Sequence, residues 1–165
     1  MQEVKFVAYC KAEPQGSMRG FVMPGKNGAK ARAILTSTTK NLKPYRQQLT
    51  LAAMEALKAA GMTEPLAEKN VGVKLVVDFF FQKPASVSKK RLYPAVKPDL
   101  SKLIRSTEDA MIGILYVDDA QIVEVKARKH YGTPERVEVK ALVDATFTGL
   151  QEIPDAEEET ESLLF

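Results

Sequence analysis

At 165 residues, 45% hydrophobic and 27% charged, the chain is long enough for one domain with a real core, and no apolar run nears the 18 or so residues that span a membrane. Its net charge of +3 is uneven: residues 151–165 hold six acids and no Lys or Arg, which leaves 24 basic against 15 acidic residues, a surplus of nine, on residues 1–150. That balance suits a polyanionic partner such as nucleic acid, and equally a soluble basic domain with a solubilising tail.

The opening MQEVKFVAYCKAE predicts a strand over residues 3–10, with Val4, Phe6 and Ala8 on one face. It lacks the apolar core of a signal peptide, so a cytoplasmic chain is expected. Cys10, the one cysteine, leaves no internal disulfide and is read as a small buried hydrophobe. Residues 11–40, rich in Gly, Ser, Thr and Lys, read as a long basic loop with a short hairpin around GKNG. A helix is predicted from about Leu42 to Ala60, with Leu49, Ala52, Ala53, Leu57 and Ala60 as its apolar stripe and Gly61 as its stop.

The second strand, Val71 to Phe81, places Val73, Leu75, Val77, Phe79 and Phe81 on one face. A basic loop with three prolines follows, QKPASVSKKRLYPAVKP, and then a helix from about Leu100 to Ile112. Gln121–His130 and Arg136–Phe147 read as two strands of a hairpin joined at YGTPE. The order β-α-β-α-β-β predicts an α+β two-layer sandwich: a mixed β-sheet with helices packed on one face. Residues 1–150 form the expected domain, and 151–165 an acidic, flexible C-terminal tail.

The chemistry concentrates between Lys97 and Gly132. Asp99 stands where a loop enters a helix, and Asp118–Asp119 stand where the next loop enters a strand. Carboxylates fixed at element ends can converge on one hard cation such as Mg²⁺, which keeps several waters and needs only two or three of them. Basic residues surround the acids, so metal-assisted phosphodiester hydrolysis is the first hypothesis. At about 100° per residue, Leu100, Leu103, Ile104, Thr107, Met111 and Ile114 share the face to be buried. Ser101, Arg105 and Glu108 share another, at i, i+4 and i+7.

KPDLSKLIRSTEDA followed by GILYVDDAQIVEVKARKHYG resembles the signature of the RusA-type Holliday junction resolvases, over about a third of the chain. The resemblance implies a small dimeric, Mg²⁺-dependent endonuclease (Mn²⁺ a possible substitute) of bacteria or phages, acting on four-way DNA junctions in recombination and repair. It carries metal binding onto Asp99 and Asp119, with Asp118 as a supporting ligand or strand cap. It also carries the basic active-site residue onto Arg105, suited to bidentate phosphate binding.

The family's second aspartate falls on Ser101, a poor Mg²⁺ ligand. A catalytically weakened branched-DNA-binding protein of the same fold is therefore the alternative reading, and another metal-dependent phosphohydrolase the third. Glu108 stands where the family pattern is apolar. It is either the replacement carboxylate, both catalytic and metal-binding, or half of a surface pair with Arg105. Asp109 is read as an orienting or structural group, and Asp78 as half of a cross-strand ion pair.

DNA contacts are expected from Lys83, Lys89, Lys90, Arg91, Lys97 and Lys102, and from Lys126, Arg128 and Lys129 on the strand. Arg19, Lys26, Lys30 and Arg32 would extend the track. Tyr93 and Phe21 either wedge at a branch point or pack in the core. His130 has no histidine or cysteine partner for a zinc site and is read as a DNA-facing or exposed strand residue. The terminal Leu163, Leu164 and Phe165 resemble short peptides that dock on sliding clamps, or else pack on this chain's own surface.

Overall fold

The computed structural model describes residues 2–16, 18–23, 32–37 and 40–143. The elements run β1 (Gln2–Ala8), β2 (Met18–Met23), β3 (Arg32–Ser37), α1 (Leu42–Ala59), β4 (Val73–Phe81), α2 (Leu100–Met111), a 3₁₀ turn (Asp119–Gln121), β5 (Ile122–Tyr131) and β6 (Arg136–Val143). A mixed sheet has the order β1-β6-β4-β5, with β4 parallel to β5 and antiparallel to β6. The predicted class, α+β with a mixed sheet and two helices, is what the chain adopts. The tail and its Leu163, Leu164 and Phe165 lie outside the described residues, as do Lys26 and Lys30.

Two details of the topology differ from the expectation. Residues 11–40 contain a second, two-stranded antiparallel sheet, β2 with β3, on either side of the expected GKNG hairpin. More consequentially, β5 and β6 are not a hairpin, because β4 lies between them. Alternate residues of β4 from Val73 to Phe81 are buried and the rest half-buried, so β4 gains from a neighbour on each edge. The charged β5 has no buried residue and suits a sheet edge. Residues 132–135 carry the chain past the end of β4, where the Gly132 amide bonds the Phe81 carbonyl at 2.9 Å. A Cβ on Gly132 would stand 2.8 Å from the Phe80 ring, so this crossing requires glycine.

Helix α1 packs on β1, α2 on β5, and the helices on each other. Between them and the sheet lie Val4, Phe6, Leu49, Ala53, Leu75, Val77, Phe79, Leu103, Met111, Val137 and Val139. Burying the α2 stripe alone is worth about 1.5–3 kcal/mol for each large side chain. The α2 stripe is rotated from the predicted one: Ser106 and Ala110 are buried, while Leu100 and Ile104 only border the core. The polar cost of Ser106 is met by bonds to the carbonyls of Glu13 and Leu103 at 2.6 and 3.0 Å. Thr107 shares a 2.7 Å hydrogen bond with the buried Tyr45 hydroxyl. Ala60, expected in the α1 stripe, is exposed. Among the described residues no helix is long and apolar enough to cross a membrane.

Candidate active site

Helix α2 carries the chemistry at its two ends, and each end is organised differently. Asp99 is the residue before the first turn. Its backbone carbonyl accepts from Leu103 at 3.1 Å, and its carboxylate pairs with Lys102 at 3.4 Å. The basic loop 82–98 leads into it and is fixed from inside by two lysines. Lys83 donates to the carbonyls of Lys89 and Arg91 at 3.2 and 2.7 Å. Lys129 donates to those of Val96 and Pro98 at 2.7 and 2.9 Å.

Of the predicted DNA contacts, Lys89, Lys90, Arg91, Lys97 and Lys126 are exposed. Lys83 and Lys102 are engaged as just described, and Arg128 forms a two-bonded pair with Asp78 at 2.9 and 3.2 Å. Tyr93 is 64% exposed, on the surface of the basic loop and outside the core. His130 bonds Asp78 at 2.7 Å. Burial works to raise the Asp78 pKa, but His130 and Arg128 outweigh it and hold the carboxyl below its usual range. Asp78 is thus the ion-pair partner the strand pattern predicted. The half-buried Cys10 thiol is pushed up to about 11 by burial, which leaves it unreactive.

The far end of α2 gathers acids. Glu108 is half-buried, and its carboxyl lies above the usual range. Burial is the main cause, followed by the charges of Asp119 and Asp109, with Arg105 opposing. Burial, and then Glu108, Asp119 and Asp109, raise the pKa of the buried Tyr116, whose hydroxyl donates to the Glu108 carbonyl at 2.9 Å. Asp109 is held by Arg46, which also reaches Gln15. Asp118 begins the 3₁₀ turn and its carboxylate accepts from the Ala120 amide at 2.8 Å. Asp119 follows, exposed on that turn.

The helix thus brings Glu108 and Asp119 within mutual influence, with Arg105 beside them, and keeps Asp99 apart. Nine residues along the axis separate Asp99 from Glu108, about 13 Å. Accordingly, among the described residues of one chain no three His, Cys, Asp or Glu side chains gather tightly enough to hold a metal ion. Mg²⁺ sites in phosphoryl chemistry commonly use one or two carboxylates plus substrate oxygens. The Glu108–Asp119 pair fits that pattern, its mutual repulsion being what a cation would relieve.

Sequence reasoning overlooked the carbonyl-binding roles of Lys83 and Lys129 and the part played by Gln121. The side-chain amide of Gln121 ties the loop of Glu68 and Val71 to the Asp118 turn. The D-D-x-Q string marked that residue without giving its partners.

Comparison with known proteins adds a family. The sequence model described as endodeoxyribonuclease RusA matches residues 14–141. An uncharacterized protein of Bacillus subtilis strain 168, YqaN, is 28% identical over 149 residues, 84% of this chain and 95% of that one. A crossover junction endodeoxyribonuclease of Lactococcus phage r1t is 38% identical over 76 residues, 44% of this chain and 56% of that protein.

Proposed function

The chain belongs to the RusA endodeoxyribonuclease family, and from that membership we propose that it resolves Holliday junctions or related branched DNA by metal-dependent phosphodiester hydrolysis, as a homodimer. The observation that supports this reading is that Glu108, at one end of α2, lies within electrostatic reach of Asp119 and Arg105. A bound Mg²⁺ would supply an activated water and stabilisation of the leaving oxygen. Glu108 and Asp119 are the residues to hold it, with Asp118 fixing the turn beneath them. Arg105, exposed on the same helix face, is suited to orient the scissile phosphate by bidentate donation. Lys89, Lys90, Arg91, Lys97 and Lys126 supply the electrostatic track.

Asp99 enters the same site through symmetry. A two-fold axis across the exposed edge of β5 sets two α2 helices antiparallel, so Asp99 of one copy meets Glu108 and Asp119 of the other. Val123 and Val125 of β5 are exposed and would give it an apolar contact. In this arrangement Glu108 supplies, across the axis, the carboxylate that Ser101 lacks. A dimer then holds two such sites, which matches the symmetry of a four-way junction.

The test is cleavage of synthetic junctions in Mg²⁺ or Mn²⁺ by Asp99→Asn, by Asp119→Asn, and by the two mixed. Each variant alone should be inactive. Mixed dimers should regain one intact site, whereas sites built within single chains would stay dead. A second reading rests on Ser101, which stands where the family has its second aspartate: the protein binds branched DNA and does not cut it. Wild-type chain that binds junctions in preference to duplex, yet leaves them intact in both metals, decides for that reading.

A further inference from the structure

One side chain holds the Asp118–Asp119 turn from outside. The Gln121 side-chain oxygen accepts from the amides of Val117 and Asp118 at 2.8 and 3.0 Å. Its nitrogen donates to the carbonyls of Glu68 and Val71 at 2.6 and 3.0 Å. A carboxamide has two acceptor sites and two N–H donors, so all four are spent on the backbone of two separate loops. The network fixes which atom is oxygen, because turning the group over would set donor against donor.

The anchoring loop is itself secured. The Val71 amide bonds the Glu68 carbonyl at 3.1 Å, and the Ala67 amide bonds the Leu115 carbonyl at 3.0 Å. Ala67 and Leu115 are fully buried. No other residue type reproduces the clamp: glutamate keeps the acceptor and loses the donors, asparagine is a methylene short, and methionine keeps the shape and loses both functions.

Asp119 lies between two fixed points. The Asp118 amide is bonded on one side, and on the other the Gln121 amide bonds the Asp118 carbonyl at 3.2 Å. The carboxylate of Asp119 is exposed. A ligand group on a backbone that cannot swing away loses little freedom on binding. We propose that Gln121 is a positioning residue of the active site, whose carboxamide fixes the Asp118–Asp119 backbone and presents the Asp119 carboxylate beside Glu108 to a cation and a DNA phosphate. This rests on the nuclease reading above.

Gln121→Met and Gln121→Glu in the full chain test it. In metal-free protein, amide exchange at Val117 and Asp118 should speed up, more in Gln121→Met than in Gln121→Glu, which keeps the acceptor. Mn²⁺ affinity and kcat should each fall about 10–100-fold, with KM for the junction and metal-free junction affinity changing by less than about twofold. Faster exchange with unchanged Mn²⁺ affinity and unchanged kcat would make Gln121 a structural tie only and overturn the proposal. Should Gln121→Met not fold, Gln121→Glu carries the same readouts. If the wild type neither cuts nor binds Mn²⁺, the nuclease reading falls; the clamp then stands on faster exchange in the variants and falls without it.

Discussion

The two ends of α2 solve opposite electrostatic problems. At the Asp99 end, cations predominate, and two of them, Lys83 and Lys129, are turned inward onto carbonyls and shape the loop. The acid there forms a surface pair with Lys102. At the Glu108 end acids predominate: Arg46 engages Asp109, while for Glu108 itself Arg105 only partly opposes the combined effect of burial, Asp119 and Asp109. One end of the helix thus sets its acid against a lysine, and the other sets two acids against each other.

The largest effect should come from removing one carboxylate at either end. Asp119→Asn and Asp99→Asn should each lower the junction cleavage rate by more than the roughly 100-fold that the loss of a group merely supporting a ligand can cost. Both should retain junction binding in EDTA. If Asp99→Asn cuts at the wild-type rate while Asp119→Asn does not, the two ends do not cooperate and the comparison collapses to one working end.

Glu108→Gln sharpens the contrast by separating catalysis from stability. Cleavage should fall by more than the roughly 100-fold that loss of a supporting group costs, as for Asp119. The metal-free protein should become more stable at neutral pH. The sign follows from the raised pKa: stability from protonated Glu108 is fully present below its unfolded pKa and lost as pH rises through the higher folded value. Above that window the ionised form is a burden that Gln removes, and below it the gain should vanish. Thermal melts across pH 3–8 without metal test this, and an equal shift at every pH would count against it. Ser101→Asp should preserve or raise cleavage. If it restores cutting to an inactive wild type, Glu108 is no replacement for the missing aspartate.

Much of this was legible in the sequence because the signals are local. Alternation located β1, β4 and β6, and the Asp99 and Asp118–Asp119 positions followed from where helix and strand had to start. What failed depends on partners distant in the chain. YGTPE has the composition of a hairpin turn, yet the demand of β4 for two neighbours decides the crossing. Ser106 looks like a surface residue until the Glu13 carbonyl is seen above it. The spacing from Asp99 to Glu108 could be counted, but periodicity groups residues by face and says nothing of the distance along the axis. Gln121 is decided by Glu68 and Val71, about fifty residues upstream.

A smaller effect should follow from the exposed cations. Lys89→Ala, Lys90→Ala and Arg91→Ala combined should weaken junction binding and flatten its dependence on salt by about 0.9 in the log–log slope for each phosphate no longer neutralised. An unchanged slope would mean that this part of the loop does not meet DNA and that the track runs elsewhere on the basic surface.

The smallest effect should come from Lys129, and it tests whether the inward lysines shape the basic end. Its ammonium ties Val96 and Pro98 to the end of β5, immediately before Asp99. Lys129→Met keeps the aliphatic stem and removes both donors. Hydrogen bonds to charged groups contribute about 1.5–3 kcal/mol when well shielded. This partly exposed pair should contribute about 1 kcal/mol, a fall of roughly 2–4 °C in Tm for a chain of this length. The salt slope of junction binding should barely move, because the charge is spent on carbonyls. A steep fall in that slope with Tm unchanged would place Lys129 on the DNA and remove it from the groups that shape the basic loop.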